Sequence, residues 1–355
     1  MIEVLEPGLF TTVQDLGREG YGAIGVSASG AADALSLRVG NLLVGNKQGA
    51  AALEMTLVGG TFKFTVGGAI VLAGSDFAAT LDGVALSPWE AVAVASGQTL
   101  RVGATRDGAR CYLCVRGGIS VPLLFGSAST HVLSGLGGFE GRALRKGDRL
   151  ATGNLGRSSV RRRLSAVAVK MSAARKTLRV TPGLQWGWFG DEARKTFLGG
   201  VYRVTEEANR MGLRLAGWGI KREVVPQGLK PLGRARANVA AEAATHKASI
   251  GEGGGEEGLG VEAGDRGGGR RELVSEGVAL GAVQIPENGQ PIILFVEQQT
   301  AGGYPKIANV ISADFHSLGQ LRPRDEIRFE MVSWEAGRKL LLEQEKLLRS
   351  EDLFA

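Results

Sequence analysis

A mainly β fold in two lobes is predicted by three observations. The chain has 355 residues, about twice the roughly 100–200 of a single domain. It carries 55 glycines against only 6% aromatic residues, a composition of many tight turns, because glycine takes positive φ without steric cost. Short alternating or apolar runs also recur at close intervals with Gly or Asp between them, which is the spacing of a sandwich or barrel. With 44% hydrophobic and 22% charged residues the chain has ordinary globular composition.

The first lobe spans residues 1–155. A helix is predicted from Ala31 to Leu43, where Leu35, Val39, Leu42 and Leu43 share a face, Ser29 caps the entry and Gly45 follows the end. Thr61–Val66 alternates in polarity and Ala69–Ala73 is a buried-strand run; Ala91–Ala95, Leu100–Val102 and Arg110–Val115 complete the series. Residues 156–176 read as a basic, solvated linker containing Arg157, Arg161, Arg162, Arg163, Lys170, Arg175 and Lys176. No aromatic residues interleave these charges to stack on bases, so the net charge of +6 does not point to nucleic acid.

The second lobe spans 177–332, opening with a strand at Thr177–Val180 and a helix at Asp191–Leu198 and resuming from Leu273 to Phe329. It is interrupted at 221–271 by an expected flexible insertion, where Gly251–Gly269 is about half glycine with few bulky apolar side chains. Those glycines lack the preceding strand and following Gly-Lys-Ser/Thr of a phosphate loop. Gly118–Pro122 and Ala282–Pro286 both place a strand before proline, and each is followed by a basic turn into a strand, at Arg145–Leu150 and Arg322–Phe329. That pattern is common among β proteins and does not by itself establish duplication. Residues 333–355 form a C-terminal helix and tail, with Glu335 and Lys339 at i,i+4 spacing and Ala336, Leu340 and Leu341 as its apolar stripe.

The first residues carry no basic stretch leading into an apolar one, and no run approaches the roughly 18 apolar residues of a membrane span, so a cytoplasmic protein without membrane contact is expected. Cys111 and Cys114 match C-x-x-C, but a spacing of three along a strand puts the side chains on opposite faces, and buried thiols are expected. No G-x-S-x-G, H-E-x-x-H or Walker pattern occurs; His131, His246 and His316 are far apart, and no metal is expected.

Function is instead concentrated in polar, glycine-punctuated loops. Thr11-Thr-Val-Gln-Asp-Leu-Gly-Arg18, Asn41-Leu-Leu-Val-Gly-Asn46, Asn209-Arg-Met-Gly212 and Gln299-Thr-Ala-Gly-Gly-Tyr-Pro-Lys306 stand out. At these blocks, in order and over nearly the whole chain, the sequence resembles the KipA-like family, also called the carboxyltransferase A/B-domain or allophanate hydrolase subunit 2 family. The resemblance implies two cyclophilin-like β-barrel lobes with a few short helices. It implies work beside two other 5-oxoprolinase components, one KipI-like and one of LamB/YcsF type, opening the lactam of 5-oxoproline to glutamate with ATP. The alternatives it implies are a carboxyltransferase-like subunit for urea or another amide, with carboxybiotin carried by another chain, and a regulatory antagonist of the KipI-like protein. Two departures bear on the substrate: Glu297-Gln298 precedes Gln299-Thr300, and the 221–271 insertion is long.

An amide is a poor electrophile, so its enzymes need donors aimed at an oxygen that becomes negative. Arg18, Arg210 and Arg116 are candidates for carboxylate or oxyanion binding, with structural ion pairing as the alternative. Asp15 and Glu54 are candidate proton acceptors, although a carboxylate that merely positions Arg18 has the same signature. Gln14, Asn209, Gln284, Gln290 and Gln299 are candidates for reading the amide, or for capping loop backbone. Tyr304, after two glycines, is expected to line the pocket, and Arg210 and Gln299 are expected to share it.

Overall fold

The computed structural model describes residues 1–153, 162–221 and 275–355 of the chain. The expected insertion, with His246 and the basic residues Arg157 and Arg161, falls outside the described residues.

The first lobe packs two antiparallel sheets. One has five strands in the order Phe10–Gln14, Ala52–Thr56, Arg110–Val115, Gly68–Gly74 and Val92–Val94. The other has seven, with Ile2–Glu6 between Arg149–Thr152 and Thr61–Phe64. Val4, Leu53, Phe62, Leu113 and Ile70 fill the space between them. Helix α1 (Ala34–Leu43) covers the other face of the five-stranded sheet with Leu37, Val39 and Leu43. Strand Arg110–Val115 is therefore buried on both faces. Cys111 points into the inter-sheet core and Cys114 toward α1, as the alternation requires. Gly40 lets the helix come close, since a Cβ there would lie 2.7 Å from Cys114 Sγ.

The α1 cap differs from expectation. Asp33 is the N-cap, its Oδ1 accepting from Ser36 N at 2.8 Å. Ser29 instead takes the left-handed conformation, φ 55°, and turns its hydroxyl to Thr130 O at 3.0 Å.

The second lobe is a closed seven-stranded barrel in the order Thr177–Pro182, Lys306–Val310, Ala282–Gln284, Ile292–Leu294, Gly212–Ala216, Tyr202–Val204 and Glu326–Met331. The last strand closes on the first in parallel, Thr177 beside Arg328. Helix α2 (Ala166–Ser172) lies within the segment expected to be a solvated linker; Ser165 caps it and Ala168 is buried, so apolar contact orders this part despite its charges. Helix α3 (Asp191–Gly199) puts Phe197 against Phe329, ring centroids 4.5 Å apart, in the barrel core. A short helix α4 (Phe315–Gln320) ends at a residue that ties the lobes together. Gln320 Oε1 accepts from Ala109 N, Arg110 N and Ser75 Oγ, while Nε2 donates to Asp33 Oδ2 and Arg110 O, all at 2.7–3.1 Å.

Helix α5 (Trp334–Leu348) starts at the N-cap Ser333. Its buried positions are Gly337 and Leu348, with Leu340 and Leu341 half-buried and Ala336 exposed, so the apolar stripe is rotated from the expected one. The expected Glu335–Lys339 pair is replaced by Lys339 with Glu343 at 4.0 Å. Leu348 and Leu353 join the apolar cluster that contains α1, and Arg38 holds Glu345 through two bonds of 2.5 and 2.7 Å. Among the described residues no helix is long and apolar enough to cross a membrane.

Candidate active-site cleft

The loop after Phe10–Gln14 lies against residues 28–31, through Arg18 N to Ala28 O at 2.8 Å and Ala31 N to Asp15 O at 2.9 Å. Gly17 is required here: its φ is +90° and a Cβ would fall 2.7 Å from Ala28 O. Asp15 ties this loop to residues 127–129. Its Oδ1 accepts from Gly17 N at 2.8 Å and from the Ser127 and Ser129 hydroxyls at 2.6 Å; Oδ2 accepts from Ala128 N at 2.6 Å. With both oxygens engaged, Asp15 organises the loop and is not poised to take a proton from a ligand.

The same loop delivers Arg18 to a cleft between the lobes. Its walls are Val26, Ser27, Ala28 and Ser29 on one side and Val278, Leu280, Phe295, Val296, Gln298 and Thr300 on the other, enclosing about 290 Å³. Arg18 is 2% exposed, and Nη2 donates to Ser129 O, but Nε and Nη1 have no hydrogen-bond partner. Burial lowers the pKa of this guanidinium, while Asp15 and Glu297 oppose the shift. Two further cleft-wall atoms lack partners, Ser27 Oγ and Gln298 Oε1. The Gln298 amide is oriented by its Nε2, which donates to Val278 O at 3.1 Å, leaving Oε1 as an acceptor.

Behind the cleft is a second ionic centre with little spare capacity. Arg210 donates from Nε to Glu297 Oε1 at 2.5 Å, from Nη1 to Glu54 Oε1 at 2.6 Å and from Nη2 to Gly30 O at 2.6 Å. Glu54 Oε2 accepts from Ala32 N at 2.8 Å and the Tyr112 hydroxyl at 2.7 Å, and Arg110 Nε lies 3.6 Å from Oε1. Burial, with Glu54 and Asp33 nearby, pushes the Tyr112 hydroxyl well above its usual pKa, keeping it a neutral donor. Burial lowers the Arg110 pKa, opposed chiefly by Glu54. For Arg210 burial is the largest influence and acts downward, but Glu54 and Glu297 outweigh it, so the net shift is upward.

The family described as "Carboxyltransferase domain, subdomain A and B" matches residues 24–331. The chain belongs to the carboxyltransferase A/B-domain family. It is 35% identical over 346 residues to the C subunit of 5-oxoprolinase from Escherichia coli K12, covering 98% of this chain and 96% of that one. The Haemophilus influenzae protein of the same name is 32% identical over 340 residues, 96% of this chain and 94% of that one. The crystal structure of Kluyveromyces lactis urea carboxylase superposes with a TM-score of 0.80 at 29% identity, over 100% of this chain but only 30% of that one. This carboxyltransferase A/B chain thus spans less than a third of the urea carboxylase, though almost all of the 5-oxoprolinase subunits.

In this family member the motif-bearing loops of the sequence do converge, but not in every expected role. Arg18, Glu54 and Arg210 come together between the lobes. Gln14 is fully buried, its Nε2 donating to Thr12 Oγ1 and Thr130 O at 3.0 Å, with Oε1 unpartnered. Asn209 accepts from Met211 N at 2.8 Å, and Gln290 exchanges bonds with both backbone groups of Gly217; each closes a loop, as the capping alternative had it. Arg116 donates to Val44 O at 3.1 Å, away from the cleft. Tyr304 is 43% exposed and is not a cleft-wall residue. Gln299 is exposed and does not bond Arg210; Glu297, two positions earlier and buried, does. Sequence reasoning passes over Glu297 and Tyr112, whose only signal is a charged or polar side chain inside an otherwise apolar strand or strand end.

Proposed function

We propose that this chain is the C subunit of an ATP-dependent 5-oxoprolinase, and that its inter-lobe cleft holds 5-oxoproline by the carboxylate. The observation that carries the reading is Arg18: a buried guanidinium with two unpartnered N–H-bearing nitrogens, lining a small cleft. A carboxylate accepts a charge-assisted hydrogen bond from such a nitrogen. The lactam supplies an N–H that matches the unpartnered Gln298 Oε1, and the apolar walls Val278, Leu280 and Phe295 suit a carbon ring. The relatives' names support the same reading. Urea amidolyase of Saccharomyces cerevisiae, 32% identical over 362 residues, supports carboxyl transfer to urea instead; the chain covers 18% of that protein. The match over nearly the whole length of the 5-oxoprolinase subunits, against 18% of the urea amidolyase, supports the first reading.

The cleft residues fit one carboxylate and not a triphosphate, since among the described residues a single spare cation lines the cleft, and it already faces Asp15 and Glu297. Co-expression with a KipI-like and a LamB/YcsF-type subunit, followed by measurement of glutamate from 5-oxoproline with and without ATP, tests the reading. The expected result is ATP-dependent turnover by the assembly and none by the chain alone. Arg18→Met is expected to reduce kcat/KM about a hundredfold, ~2.7 kcal/mol. A variant with undiminished kcat/KM would remove the carboxylate assignment.

A further inference from the structure

Beside the cleft wall at Val278, the barrel lobe contains a buried lysine whose ammonium meets one carboxylate. Lys306 is 3% exposed, and Nζ pairs with Glu276. Gln185 braces both: its Nε2 donates to Glu276 Oε1 at 2.8 Å and its Oε1 accepts from Lys306 N at 3.0 Å. Directly across the sheet from Lys306 is Gln284, which is 1% exposed and whose Nε2 has no partner. Gln299 converges on the same place. A Cβ on Gly302 would meet Gln299 Nε2 at 2.6 Å, Gln284 Nε2 at 2.8 Å and Val278, a cleft-wall residue, at 3.3 Å. Glycine at 302 therefore leaves room beside two amide donors, one of them orphaned, next to the cleft.

The carboxylate that occupies Lys306 comes from a weakly held piece of structure. Among the described residues Glu276–Gly277 pairs only with Ala301–Gly302, in a two-stranded ladder separate from the barrel. Two strands on their own are marginally stable. Lys306 draws the Glu276 carboxyl below its ordinary pKa, so the pair is charged near neutrality. An anionic oxygen can take the place of Glu276 without a net change in the buried charge, whereas removing Glu276 with nothing in return would leave the ammonium unpaired.

We propose that Lys306, Gln284 and Gln299 form a receptor for an anionic oxygen, which Glu276 occupies in the free chain. Given the 5-oxoprolinase reading, on which this part rests, the oxygen is the amide carbonyl oxygen of the substrate as negative charge develops on it. Donors fixed where charge develops act on turnover more than on ground-state binding.

Two measurements test this. In the purified full-length chain, acetylation of Lys306 by an N-hydroxysuccinimide ester is followed by mass spectrometry, with inorganic phosphate as the anion probe. Glu276→Gln is expected to speed acetylation at Lys306 at least tenfold, and phosphate to slow it again at that lysine alone. An unchanged rate in Glu276→Gln, or no effect of phosphate, overturns the receptor. In the assembled complex, Lys306→Met is expected to lower kcat about a hundredfold with KM within threefold, and Lys306→Arg not to restore it. Gln299→Leu, at an exposed position, is expected to lower kcat about tenfold. Equal losses in Lys306→Met and Glu276→Gln, with equal falls in melting temperature, would reduce the cluster to a structural ion pair. If acetylation behaves as expected but the parent complex makes no glutamate from 5-oxoproline, the receptor stands and the substrate assignment falls.

Discussion

Arg210 and Arg18 are both buried arginines between the lobes, yet they are used in opposite ways. Arg210 spends Nε, Nη1 and Nη2 on Glu297, Glu54 and Gly30, joining a barrel loop to the first lobe. Arg18 spends only Nη2, on Ser129 O, and keeps two nitrogens without partners beside a cleft. A buried donor left unmatched costs free energy that a saturated one does not. The fold tolerates that cost at Arg18 and avoids it at Arg210, which separates a receiving group from a structural one more clearly than burial does.

The comparison breaks most visibly at Arg210. Arg210→Ala leaves Glu54 and Glu297 facing one another without their shared cation, and losing one partner of a buried pair costs ~3–5 kcal/mol. At about 1.3 °C per kcal/mol for a chain of 355 residues, the expected fall in melting temperature is roughly 4–7 °C. Arg18→Met, by contrast, leaves Asp15 with its four donors, and a shift within about 2 °C is expected. Differential scanning calorimetry of the two variants checks the contrast; equal destabilisation would mean that Arg18 too is structural.

A smaller effect belongs to Arg38 and Glu345, an ion pair between α1 and α5 that is partly exposed. Arg38 holds the Glu345 carboxyl below 4.5, its usual value. The stabilisation is therefore complete above that unfolded-state value and is lost as pH falls through the lower, folded one. Solvent screening limits it to about 1 kcal/mol or less. Hydrogen exchange of α5 amides is expected to accelerate as pH drops below about 4.5, after correction for intrinsic rates, and to lose that pH dependence in Arg38→Ala.

Most of the strands are legible in the sequence because their signal is local. Arg110–Val115 has the same bounds in sequence and structure, and its alternation places Cys111 and Cys114 on opposite faces. The α1 cap is ambiguous because Ser29 and Asp33 are both good capping residues; only the left-handed turn at Ser29 decides between them. The site is legible as a set of loops but not as a set of bonds. Arg210 reaches Glu54 across 156 positions and Glu297 across 87, and no pattern in a single sequence encodes such pairings. The sequence points to Gln299 where Glu297 acts because the motif marks the loop, while the turn at residues 296–297 determines which side chain turns inward. Lys306 ends the same motif, and a lysine beside proline carries no local sign that it is buried.

The two cysteines give the molecule a built-in clock for its own opening. Both thiols are fully buried and burial pushes their pKa values up, so neither is reactive while the first lobe is closed. Because Cys111 lies between the sheets and Cys114 under α1, each can meet a reagent only when its own layer parts from the strand they share. The order in which the two sulfurs are trapped therefore records whether the helix lifts first or the sheets separate first, from a single unmodified chain and without any added label.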